Sequence, residues 1–164
     1  MGSASCRDGV VVLYSRCSFT RSGYGAALLT TETILQIGAA VTLSKAISEA
    51  DVALFTLVTI DQLPAAEEPP APAAGARSVV PGALVAAFLA AAAARHVGGL
   101  AAAQLVRADV TAGAPAYTDD TLTATAQVAA YDAAARTLRV AAHCANQDGL
   151  RLAEGIFELR ADAS

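Results

Sequence analysis

The sequence contains no CxxC pair; its three cysteines, Cys6, Cys17 and Cys144, are odd in number and widely spaced. Such spacing supports neither a zinc site nor a dithiol redox motif. A basic block is also missing. Eleven Lys and Arg stand against 15 Asp and Glu, giving a formal net charge of -4. Non-specific binding to DNA or RNA needs a positive footprint, so nucleic acid is not an expected partner. The longest apolar run lies between Arg77 and Arg95. It is alanine-heavy and shorter than the roughly 18 residues of a membrane span. Gly9–Tyr14 is too short for a signal peptide and is soon followed by Arg16. The start Met-Gly-Ser-Ala-Ser-Cys lacks the Ser or Thr of a myristoylation signal. The expectation is a cytoplasmic protein with no membrane partner.

What is present suits one globular domain. The chain has 164 residues, 55% of them hydrophobic and 16% charged. That supplies a sizeable core and argues against disorder. Much of the apolar count is alanine, which points either to close packing of small side chains or to a biased genome.

Residues 1–33 differ from the rest. They carry Arg7, Arg16, Arg21, two cysteines and Ser/Gly clusters, and read as a loosely ordered N-terminal extension, with Val10–Tyr14 as an alternative strand. Regular patterning begins near Ile34 and continues to residue 164. Val41–Ile47 alternates as a half-buried strand. Ser48-Glu49-Ala50-Asp51 matches a capping-box-like helix start, so Asp51 is most simply a cap residue. Val52, Phe55 and Thr59 follow at helical spacing. Between Asp61 and Ala76 stand Pro64, Pro69, Pro70 and Pro72, which exclude continuous helix; a loop within the domain is expected.

Gly82–Val97 is apolar on nearly every side, as an enclosed helix should be. Arg95 and His96 suit its carbonyl end, and Gly98-Gly99 supplies the stop. A strand begins near Ala102. Three more follow at Thr121–Tyr131, Arg136–Ala145 and Leu150–Arg160, separated by turn-like Asp132-Ala133 and by Asp148-Gly149, a strong hairpin signal. The fold class is α+β: a curved antiparallel sheet wrapped around a long central helix.

Four stretches in this order resemble the MaoC-like hydratases and dehydratases, which have the hotdog fold. Ile37-Gly38 with Val41–Val52 is similar to the family's first strand and helix entry. Leu57–Pro64 is similar to its active-site loop, Val80-Pro81-Gly82-Ala83-Leu84 to the start of its central helix, and Asn146–Gly149 to its last hairpin. The family loop usually reads Thr-Gly-Asp-x-Asn-Pro-(Ile/Leu)-His. Thr59, Asp61 and Pro64 match it; Ile60 replaces Gly, Gln62 fills the variable position, Leu63 replaces Asn, and Ala66 stands at the histidine. At the central helix, His-Gly-Met appears as Pro81-Gly82-Ala83.

The resemblance implies chemistry on an acyl thioester carried by coenzyme A or an acyl carrier protein, with no other cofactor and no metal. In the family an Asp and a His hold the attacking water, and a backbone N–H at the central helix polarises the thioester carbonyl. Asp61 is then the expected catalytic acid or base, and Gly82, Pro81, Ala83, Gln62 and Pro64 the expected substrate contacts. Ala66 has no titratable group, so the two-group water clamp is broken. Neither remaining histidine is a natural substitute. His96 reads as a capping or solvated residue, and His143 shares a polar strand face with Thr137, Arg139 and Ala141. Glu67 and Glu68 read as a solvated acidic pair, and Gln62 orients water without being a strong base. Two functions follow. One is an enzyme with altered chemistry, such as cyclisation or isomerisation. The other is a non-catalytic hotdog subunit supporting a catalytic partner. Thioester hydrolysis is a third, weaker reading. A homodimer or a heterodimer with another hotdog subunit is expected.

Overall fold

The computed structural model describes residues 4–7, 10–16, 30–59, 77–99 and 103–161, through the backbone alone as far as residue 35. The first part forms a small antiparallel sheet, β1 (Ala4–Arg7), β2 (Val10–Arg16) and β3 (Thr30–Gln36), in the order β1-β2-β3. Val10–Tyr14 lies within β2.

The larger sheet comprises β4 (Ala40–Ala46), β5 (Ala103–Ala112), β6 (Thr121–Asp132), β7 (Thr137–Ala145) and β8 (Arg151–Ala161). All neighbours are antiparallel, in the order β4-β6-β7-β8-β5. Between β4 and β5 come α1 (Glu49–Thr59) and α2 (Gly82–Ala94), the latter extended by a 3-10 turn at Arg95–Val97. The left-handed Gly98, with φ 91°, ends the turn.

Period-two alternation decides which sheet face is covered. Leu122, Ala124, Ala126 and Val128 of β6 are buried, as are Leu138, Val140, Ala142 and Cys144 of β7. Thr121, Thr123, Thr125 and Gln127 point the other way and stay partly or fully exposed. Val85, Leu89, Ala90 and Ala92–Ala94 of α2 pack into the same core. Small side chains bring helix and sheet close. Within the sheet, Gly155 of β8 permits a close approach to β5: a Cβ there would lie 2.5 Å from the Asp109 carbonyl oxygen, which only glycine avoids.

The α1 start forms the expected capping box. Ser48 N–H and its hydroxyl both donate to Asp51 Oδ2, at 2.9 and 2.8 Å, and Asp51 N–H donates to Ser48 Oγ at 3.3 Å. Lys45 Nζ lies 3.0 Å from Asp51 Oδ1. The Ser48 N–H, then its hydroxyl, then Lys45 bring the Asp51 pKa from 3.8 down to about 2. Because the folded value is the lower one, the carboxylate's contribution is complete above the unfolded value and is lost as pH falls toward 2. A carboxyl-carbon NMR titration should therefore place the Asp51 midpoint near 2. A midpoint near the ordinary carboxylate value would remove the capping box.

Val52, Phe55 and Thr59 lie on α1 as their spacing suggests, but no α1 residue is buried; Val52 packs partly on the core, whereas Thr59 is exposed and donates its hydroxyl to the Phe55 carbonyl at 3.0 Å. Two sequence expectations change. Leu57-Val58-Thr59 are helical rather than part of a loop, since the first proline, Pro64, constrains backbone only as far back as Leu63. His96 is neither a cap nor solvated: it is 7% exposed, with Nε2 3.0 Å from the Ala126 carbonyl oxygen. The 3-10 turn carries it beneath β6, where the carbonyl satisfies the ring.

Candidate active-site groove

The α2 N-terminus is left open by its own sequence. Pro81 takes the N-cap position with φ -54° and ψ 130° and makes no side-chain cap hydrogen bond. Leu84 N–H and Val85 N–H both reach back to the Pro81 carbonyl, at 2.9 and 3.4 Å. The N–H groups of Gly82 and Ala83 have no acceptor among the described residues. Unpaired amides at a helix start carry the positive end of its dipole. Gly82 and Ala83 are both exposed. A Cβ built on Gly82 would meet nothing within 4 Å, and no strained backbone requires glycine there. Its lack of a side chain leaves open space over the helix start.

That space belongs to a groove of about 530 Å³. One wall is Val79, Gly82, Ala83 and Ala86 at the α2 entry; the other is β5 and its following loop, including Ala112 and Pro115. The lining is mainly apolar and small. It suits an uncharged chain whose polar end meets the two free amides.

Of the substrate contacts expected from the sequence, Pro81, Gly82 and Ala83 form the α2 start, and Gly82 and Ala83 line the groove. Asp61, Gln62 and Pro64, with Ala66, Glu67 and Glu68, lie outside the described residues. Among the described residues no cluster of His, Cys, Asp and Glu is suited to a metal ion, and no helix is long and apolar enough to cross a membrane. Burial pushes the Cys144 thiol up to about 11, so it is no ready nucleophile. His143 lies on the outer sheet face, register-paired with Thr125 and Glu154. A concavity of about 570 Å³ there includes His143 and Glu154 but no part of α2. Its lining also includes Asp109, Thr111, Thr125, Gln127 and Arg151, as on a solvated face.

One cluster beside the groove escaped the sequence reading. Asp120, 2% exposed, accepts from Tyr117 N–H at 2.9 Å, from Gln147 Nε2 at 3.1 Å and from Arg77 Nη2. Burial by itself raises its pKa; these three donors outweigh burial and hold the carboxyl below its ordinary value. Tyr117-Thr118-Asp119-Asp120 reads locally as a turn. Its partner Arg77 is 43 residues away, so no local pattern announces the pair.

No family model and no curated protein matches the chain. Solved structures do. The chain is similar to the (R)-hydratase from A. caviae involved in PHA biosynthesis, with 22% identity over 78% of this chain and 98% of that one, at a TM-score of 0.65. The R-hydratase PhaJ1 from Pseudomonas aeruginosa gives 24% identity over 79% and 84%, at 0.66. A hot-dog-like protein from Thermanaerovibrio acidaminovorans gives 18% identity over 78% and 84%, at 0.56. The chain has a hotdog fold. The hotdog sheet is the five-stranded β4-β6-β7-β8-β5, and the helix it wraps is α2.

Proposed function

We propose that this hotdog protein is an acyl-thioester-processing enzyme of the MaoC-like hydratase type, with chemistry altered by the absence of the family's histidine. The observation that carries the reading is the α2 start: two amides, Gly82 and Ala83, with no acceptor among the described residues, on the wall of a small-residue apolar groove. Such amides stabilise the oxyanion that develops when a thioester gains electron density at its carbonyl. The likeness to two R-hydratases, and the match of Thr59, Asp61 and Pro64 to the family loop, support the same reading.

Asp61 is assigned the proton transfer, with Gln62 and Pro64 beside it and Pro81, Gly82 and Ala83 on the carbonyl. A lone carboxylate moves a proton at the acidic carbon next to the thioester more readily than it assembles water for addition, so isomerisation or cyclisation is favoured over hydration. The carrier is coenzyme A or an acyl carrier protein. The edge of β5, unpaired among the described strands and also walling the groove, is the proposed place for a second hotdog subunit, as a homodimer or heterodimer. The second reading, a non-catalytic subunit, rests on Ala66 alone.

Butanoyl-CoA labelled with ¹³C at the thioester carbonyl tests the proposal. Isotope-edited infrared spectra of the bound ligand should show the carbonyl stretch at lower frequency than in water. Gly82→Val should weaken binding by about tenfold or more and reverse the shift while leaving the melting temperature nearly unchanged, because the new side chain enters open space over the amides. An unshifted carbonyl in the unaltered protein would refute the site.

A further inference from the structure

The buried Asp120 cluster joins three segments that are distant in sequence: the entry to α2, the turn before β6, and the β7–β8 hairpin. We propose that Asp120, acting through Arg77, is a positioning residue that holds the α2 amides and the facing groove wall in register. This rests on the thioester reading above and adds the device that sets its geometry.

The connections are continuous. Arg77 spans Asp120 and the Thr118 carbonyl, which accepts from its Nε at 2.8 Å. Ser78 N–H donates to Thr118 Oγ1 at 3.1 Å, and Thr118 N–H donates to the Ser78 carbonyl at 2.8 Å. Val80 N–H donates to the Ala116 carbonyl at 2.8 Å. Arg77–Val80 is therefore stitched to Ala116–Asp120 along its length. Only Pro81 then separates the stitched segment from Gly82, and its ring fixes φ, leaving little freedom to absorb a displacement. On the opposite groove wall, Ala116 belongs to the other half of the same stitch and Pro115 directly precedes it. Any slip between the halves changes both the direction of the amides and the width of the groove.

Gln147 completes the assembly. Its Nε2 donates to Asp120, and its Oε1 accepts from Thr121 N–H at 2.8 Å. Asn146 Oδ1 accepts from the N–H groups of Asp148 and Leu150, at 3.1 and 2.9 Å, fixing the hairpin from which Gln147 reaches. A buried carboxylate with these partners is a costly way to gain stability, since apolar packing does as well or better. What it supplies here is one defined register between two segments.

The test uses the labelled butanoyl-CoA and three variants of the full chain. Arg77→Leu removes both guanidinium contacts at a half-exposed position that tolerates truncation. Asp120→Asn keeps the shape and loses the charge. Val140→Ala, in the core, matches their thermal destabilisation away from the groove. Arg77→Leu and Asp120→Asn should at least halve the carbonyl shift and raise Kd about tenfold, with Arg77→Lys restoring part of both; Val140→Ala should change neither. If Asp120→Asn does not fold, Arg77→Leu decides alone. A normal shift and Kd in Arg77→Leu, or an equal loss in Val140→Ala, overturns the positioning role and leaves the thioester site standing. An absent shift in the unaltered protein overturns the thioester site instead.

Discussion

Phe157→Ala should lower the stability of the folded chain by about 3–5 kcal/mol and its melting temperature by roughly 10 °C. Phe157 is the largest fully buried side chain among the described residues, with no exposed surface. Its β8 position is register-paired with Val140 of β7 and Ala108 of β5. Truncation removes an aromatic ring from a core whose other members include many alanines and valines. Those short side chains cannot swing into the vacancy, so the cavity term adds to the lost burial. Ile156→Ala, one residue away and pointing to the outer face, should cost about 1 kcal/mol or less. Thermal or denaturant unfolding of the two variants compares them directly. Equal small losses would mean that the helix does not pack against this part of the sheet.

Purified protein should hydrate crotonyl-CoA about 10²–10⁴-fold more slowly than a hydratase with a complete acid/base pair. Addition of water needs one group to take its proton and another to hold or return one. On the proposed reading Ala66 stands at the histidine position, and Asp61 then lacks a partner of that kind. Ala66→His should raise the hydration rate, and Asp61→Asn should abolish whatever reaction the native substrate undergoes. A steady-state absorbance assay gives the first result, and ordinary hydratase turnover would be incompatible with the altered-chemistry reading. If the chain is a non-catalytic subunit, Asp61→Asn leaves the activity of the assembled complex largely intact.

The elements that depend on local signals were legible in the sequence. The Ser48–Asp51 box, Gly98, and the alternation in β6, β7 and β8 state their structures through hydrogen bonds and periodicities a few residues long. The Pro81-Gly82 step before an apolar run was enough to place the open helix start. Long-range features were not legible. Asp120 is a turn residue by its neighbours and becomes a buried ion-pair partner only when Arg77 arrives from another segment. His96 ends an α-helical pattern, and the tighter 3-10 turn, which no residue type there demands, carries it inside. The exposure of α1 was hidden for a related reason, because helical spacing gives a face but not what that face meets.

The free edge of β5 has a thermodynamic consequence. Val110 and Ala112 wall the groove from the same strand whose outer backbone groups lie at the sheet margin. If a second chain pairs along this margin and orders the wall against which a ligand packs, occupancy of the groove and association at β5 are linked equilibria, each tightening the other by the same factor. Under that linkage, ligand affinity measured on dilute protein underestimates affinity at high concentration, and a titration at a single concentration reports a mixture of the two events.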